Sequence, residues 1–145
     1  MDWELLGPVI ERYKGMIDLF LICVDRDGNT TRRAALDNIE TQADKIAPGC
    51  IVLAENAWQE IEVWVLAGHD LPSNWVWRDI RAEVNPKEAY FEPFATQQGV
   101  HQSPGGGRKA LAQQAARRYN RIRRLCPEDV AALEARIRDW IERKT

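Results

Sequence analysis

Two short, unbroken apolar runs constrain this chain more than any other feature: Leu19-Phe20-Leu21-Ile22-Cys23-Val24 and Cys50-Ile51-Val52-Leu53-Ala54. Neither alternates polar with apolar residues, so each reads as a strand covered on both faces. Between them, Ala35, Leu36, Ile39, Ala43 and Ile46 recur at helical spacing within residues 31–46, and Pro48-Gly49 ends the segment. Strand, helix and strand at these lengths make a βαβ unit, which implies a parallel pair joined by a right-handed crossover. The expected class is α/β: a short parallel sheet of Rossmann-like type sandwiched by helices, with a carboxyl-terminal helical hairpin.

The remaining segments supply the helices. Leu5, Leu6, Val9, Ile10 and Tyr13 predict an amphipathic helix over 3–14, stopped by Gly15. Asn56-Ala57-Trp58-Gln59 has the form of a capping box leading into an apolar helix over 57–67, and Asn85-Pro86-Lys87-Glu88 is a second helix start. Gln97 to Gly107, with Ser103-Pro104-Gly105-Gly106-Gly107, reads as a mobile loop. A helix over 108–124 and another from Pro127 form the terminal pair. A chain of 145 residues suits one domain, with a core at about 16–70 and a helical part at about 71–145. No apolar run approaches the roughly 20 residues of a membrane span. Met1-Asp2-Trp3-Glu4 lacks the basic start and apolar middle of a secretory signal, so the expected location is cytoplasmic, with no membrane partner. Cys23, Cys50 and Cys126 form no CxxC pair, which argues against a zinc site or a disulfide framework.

Charge is segregated along the chain. Residues 1–107 balance to −8, while residues 108–124 carry seven basic side chains and no acidic one. These are Arg108, Lys109, Arg117, Arg118, Arg121, Arg123 and Arg124. On one helix, Arg117, Arg121 and Arg124 share a face, which suits a phosphate backbone; a solvated face, or pairing with the acidic body, explains the same pattern.

Asp25 and Asp27 stand at the carboxyl end of the first strand, where ligands of open α/β sheets collect. Two carboxylates there suit Mg²⁺, which takes one or two carboxylates together with waters and phosphate oxygens. Asp-x-Asp-Gly also serves plain turn chemistry. Glu55 emerges at the same edge, and Glu60 and Glu62 lie in an otherwise apolar segment, where a buried carboxylate needs a metal or a cation such as Arg32, Arg33 or Arg78. His69 and His101 read as loop residues without a partner at ligand spacing. Trp75 and Trp77 belong to the core or form a stacking surface beside their loop.

Phe20-Leu21-Ile22-Cys23-Val24-Asp25-Arg26-Asp27-Gly28, the segment Trp58-Gln59-Glu60-Ile61-Glu62-Val63-Trp64-Val65-Leu66-Ala67, and the ending from Gly107-Arg108-Lys109 through Tyr119 to Cys126-Pro127-Glu128 resemble the TOPRIM-like group catalogued as domain of unknown function 4276. That group is similar to TOPRIM nucleases of the overcoming-lysogenization-defect type and to RloB-like proteins near bacterial defence genes. The resemblance spans about residues 15–140. It implies a nuclease dependent on Mg²⁺ (or Mn²⁺) and acting on DNA or RNA. Asp25, Asp27, Glu60 and Glu62 would be its catalytic carboxylates, Asp25, Asp27 and Glu60 its metal ligands, and Arg108, Lys109, Arg117, Arg121 and Arg124 its nucleic-acid contacts. The family's earlier strand, ending in a glutamate, has no counterpart here, because the residues before Leu19 read as a helix. A second chain supplying that carboxylate, or a non-catalytic interaction domain with a protein partner in a larger defence complex, follows as the alternative.

Overall fold

The computed structural model describes residues 2–144. Helix α1 (Trp3–Tyr13) begins where the Asp2 carboxylate accepts the Glu4 N–H at 3.0 Å. Strand β1 (Leu19–Asp25), helix α2 (Arg32–Ile46) and strand β2 (Ile51–Ala57) follow as the expected βαβ unit. The strands are parallel, in a register that runs from Leu19 opposite Ile51 to Asp25 opposite Ala57. One face of the sheet is apolar throughout: Phe20, Ile22 and Val52 pack against Leu6 and Ile10 of α1 and Ala43 of α2. Leu36, Ile39 and Ala54 close the layer. The α/β class is therefore as the sequence predicts.

Strand β2 runs farther than expected. It continues through Asn56 and Ala57 because β1 offers ladder partners as far as Asp25, so these residues extend the sheet and do not cap a helix. Gln59 then takes a left-handed backbone, with φ 75°, and helix α3 (Glu62–Ala67) starts five residues later than the capping-box reading places it. The outer edge of β2 is occupied by side chains. The Ala54 N–H donates to Glu40 at 2.7 Å, and the Ala54 carbonyl accepts from Arg33 at 2.8 Å and Arg136 at 3.1 Å.

Past the sheet the chain is helical: α4 (Trp77–Ala82), a π-helical turn (Lys87–Phe91) continuing into α5 (Glu92–Gln97), α6 (Arg108–Ala116), α7 (Tyr119–Leu125), and a second π-helical turn (Pro127–Ala131) continuing into α8 (Ala132–Lys144). Residues 98–107 form consecutive turns without helix or strand. Leu66, Ile80, Phe91, Phe94 and Leu111 make the core of this part, each phenylalanine contributing on the order of 2–3 kcal/mol by leaving water. Helix α3 approaches α6 closely at Gly68, where an added Cβ would lie 2.4 Å from the Ala115 Cβ.

The expected single helix over 108–124 is two helices. The N–H groups of Arg117 and Arg118 return to Gln114 and Ala115, tightening the last turn of α6. Arg118 and Arg121, on either side of the break, converge on Asp70. The shared face expected for Arg117, Arg121 and Arg124 is thereby divided between a helix end and a second helix. No helix among the described residues is long and apolar enough to cross a membrane.

Candidate functional site

The carboxyl ends of the two strands meet where the sequence places the site. Extended geometry stops at Asp25, and Asp27 is left-handed at φ 51°, so the two aspartates do not simply project together from one strand face. Gln59 clamps the turn between them. Its carbonyl accepts the N–H groups of Arg26 (2.6 Å) and Asp27 (3.1 Å), and its side-chain Oε1 accepts that of Gly28 (3.0 Å). Gly28, at φ 66°, supplies the second left-handed step that the turn requires.

Four carboxylates surround this turn, and each engages the protein through one oxygen. Asp25 Oδ1 accepts the Ile61 N–H at 2.8 Å, and Glu60 Oε2 accepts the Lys87 N–H at 2.7 Å. Asp27 Oδ2 meets Arg32 at 3.4 Å, and Glu62 Oε1 meets Arg108 at 2.5 Å. Among the described residues no hydrogen-bond donor reaches the second oxygen of any of the four. Glu60 therefore caps the Lys87 helix start, a role the sequence pattern assigns to Asn85.

Burial, first, and then the neighbouring carboxylates push two of these groups upward. Asp25 is raised by desolvation and by the charges of Glu62 and Asp27, against the opposing Ile61 hydrogen bond and the Arg108 charge. Glu60 is raised by desolvation and by Glu62, Glu88 and Asp25, against the Lys87 hydrogen bond. A hard cation needs one or two such oxygens, its remaining positions going to water or phosphate. Asp25 and Glu60 fit that requirement, although no group of three His, Cys, Asp or Glu side chains among the described residues forms a metal cage.

The basic block is dispersed. Arg108 belongs to the carboxylate cluster through Glu62, Arg118 and Arg121 face Asp70, and Arg123 meets Glu134 at 2.6 Å. Lys109 and Arg117 are exposed. Arg124 lines a cleft of about 570 Å³ with Trp58, Trp77, Arg78 and Arg81, and Gln59 forms part of the same wall. Arg26 lies over the Trp58 ring at 4.1 Å, with Arg81 at 5.7 Å. Trp77 is oriented by donating its indole N–H to the Leu125 carbonyl at 3.0 Å. Trp75 is instead a packing residue, edge-on to Tyr90. His69 is also a packing residue, with Nε2 against the Leu111 carbonyl and its ring against Phe94.

One residue central to this region escapes sequence reading. Asp129 is 1% exposed and accepts from the Trp58 N–H at 2.8 Å, the Trp64 indole at 2.7 Å and Arg81 at 3.0 Å. It ties the exit of β2, α3 and α4 to the carboxyl-terminal helices. Glu55 is held by Arg33 at 3.1 Å and Arg136 at 3.5 Å on the far side of the sheet edge, apart from the cluster.

No family model, no curated protein and no solved structure matches this chain.

Proposed function

We propose that the chain is a TOPRIM-like, nuclease-type domain that binds Mg²⁺ (or Mn²⁺) at the strand edge and handles phosphodiesters of DNA or RNA. The observation that carries this reading is the set of four carboxylates around one turn, each with a second oxygen left without a protein donor, two of them raised by burial and by each other. Asp25 and Glu60 would hold the metal, with Asp27 at the rim. The metal supplies charge neutralisation for the scissile phosphate and a more acidic water.

The residues of the chain provide the rest. Arg108 offsets Glu62, so that the buried glutamate is not a further uncompensated charge in the cluster. Gln59 fixes the Asp25–Gly28 turn through three hydrogen bonds. Arg124 and Arg78, the latter 89% exposed at its side chain, sit on the cleft beside that turn and are placed to meet backbone phosphates. Trp77 lines the cleft and offers ring surface to an unstacked base, while Trp58 carries the Arg26 guanidinium over its ring. Lys109 and Arg117 add diffuse positive charge. Glu60 is oriented for its place beside Asp25 by the Lys87 N–H.

The test is calorimetric titration with Mg²⁺ and Mn²⁺, paired with cleavage of end-labelled single- and double-stranded DNA and RNA. The wild type should bind metal and cut. Asp25→Asn combined with Glu60→Gln should abolish both while leaving the circular dichroism spectrum unchanged. A wild type that neither binds metal nor cuts refutes the proposal.

A second reading, a non-catalytic interaction domain, draws on the internal pairing of Arg108, Arg118, Arg121 and Arg123, which leaves fewer free cations than a nucleic-acid groove normally carries. Metal binding without cleavage of any of the four substrates favours it.

A further inference from the structure

The two edges of the sheet are unlike. The ladder in which the Ile51 N–H meets the Asp18 carbonyl sets the phase of pairing, so Phe20, Ile22 and Val24 direct their backbone groups at β2. Leu19, Leu21 and Cys23 direct theirs to the opposite side. There no donor or acceptor among the described residues meets them, whereas the corresponding groups of Ala54 on β2 are taken by Glu40, Arg33 and Arg136.

Both flanks of this open edge are apolar. Trp3 of α1 shares a cleft with Ala35 and Ile39 of α2, so one side of α1 faces α2. Helix α2 itself reaches the outer edge of β2 through Arg33 and Glu40. Helix α1 packs Leu6 and Ile10 against Phe20 and Ile22 of β1, and its exposed side presents Leu5, Val9 and Tyr13, continued by Met16. Beneath the strand lies an apolar cavity of about 650 Å³ whose wall includes the exposed residues Leu21, Ile61 and Tyr119.

We propose that a second copy of this chain adds its own β1 to this edge, antiparallel, about a two-fold axis near Leu21, giving a continuous four-stranded sheet β2-β1-β1-β2. Three features select a copy of the chain as the occupant. The axis makes the edge its own complement: an apolar strand with unpaired backbone groups and apolar flanks meets the same strand and flanks. The seven exposed side chains present on the order of 700 Å², close to the roughly 800 Å² that each partner contributes to a standard interface. No charged side chain lies in the Leu19–Val24 run, so pairing it with itself buries no unpaired ion.

Sedimentation velocity at about 50 µM should show a dimer, since interfaces of this size hold at about micromolar affinity or tighter. Leu21→Lys should shift it to monomer with an unchanged circular dichroism spectrum. Should that variant unfold, Leu5→Glu, at a residue 73% exposed, reads the same interface and should weaken dimerisation by at least about tenfold. Amide exchange distinguishes strand pairing from helix packing. The Leu19, Leu21 and Cys23 N–H groups should gain protection as concentration rises, whereas those of Phe20 and Ile22 are protected throughout. A wild-type monomer at that concentration, a dimer that survives the folded variants, or protection of Leu21 and Cys23 that does not depend on concentration overturns the proposal.

Discussion

Replacing Asp129 with alanine tests the architecture beneath the candidate site. The carboxylate is 1% exposed and takes the Trp58 N–H, the Trp64 indole and the Arg81 guanidinium within 3.0 Å, together with the N–H of Val130. Hydrogen bonds to a charged group contribute about 1.5–3 kcal/mol each, but they share one acceptor and do not add. The better guide is the loss of one member of a buried ion pair, about 3–5 kcal/mol, because Arg81 keeps its charge in a site only 11% open at the side chain. Solvent at the rim and the second partner Glu128, at 2.7 Å, relieve part of that cost, so about 3–4 kcal/mol is expected. With a urea slope near 2 kcal/mol per molar, the midpoint should fall by roughly 1.5–2 M. Asp129→Asn keeps the shape and one acceptor oxygen and should lose about half as much. Urea titration followed by tryptophan fluorescence reads both, since Trp58 and Trp64 are direct partners. A midpoint for Asp129→Ala within about 0.5 M of the wild type would refute the reasoning.

Two further outcomes follow from the packing and from the charges. Gly68→Ala drives a Cβ into the Ala115 backbone, where the Cα would stand 2.5 Å away, and should destabilise by about 1–3 kcal/mol or more, measured by thermal unfolding. The raised Asp25 and Glu60 mean that the folded state binds more protons than the unfolded chain between their ordinary and raised values. The contribution of these groups is therefore fully present below the ordinary carboxylate range and is lost as pH rises through the raised values. Asp25→Asn with Glu60→Gln should remove that fall, flattening the stability profile just above pH 4 relative to wild type, while added Mg²⁺ should stabilise the wild type alone at pH 7.

What could be read from the chain was local. The two apolar runs and the spacing of Leu36, Ile39 and Ala43 identify β1, α2 and the start of β2, because burial and periodicity act over neighbouring residues. The same local grammar misplaced Asn56-Ala57-Trp58-Gln59. A capping box and a continuing strand compete there, and a ladder partner 32 residues upstream decides between them. Beside the break near Arg117, Arg118 and Arg121 both meet Asp70 from an earlier part of the chain, and no periodicity within residues 108–124 reveals the break. For the site, the sequence placed Asp25 and Asp27 at the strand end and Glu60 and Glu62 in the segment after the second strand, but it also placed Glu55 at that edge, where the structure pairs it with Arg33 and Arg136 instead. It missed the Gln59 clamp and Asp129, whose partners lie 31 and up to 71 residues away. Asp129 stands in Pro127-Glu128-Asp129, an acidic first turn that an ordinary helix start explains, so nothing in the sequence sets it apart.

The side chains on the outer edge of β2 also govern how far any growth of the sheet can go. With Glu40, Arg33 and Arg136 on the Ala54 backbone, the middle of that edge is closed to another strand, so recruitment at β1 favours a single addition over propagation into a filament. Removing these three side chains together would leave a molecule with two adhesive edges in place of one. The surface charge that looks like ordinary solvation is then what separates a discrete particle from an open-ended polymer.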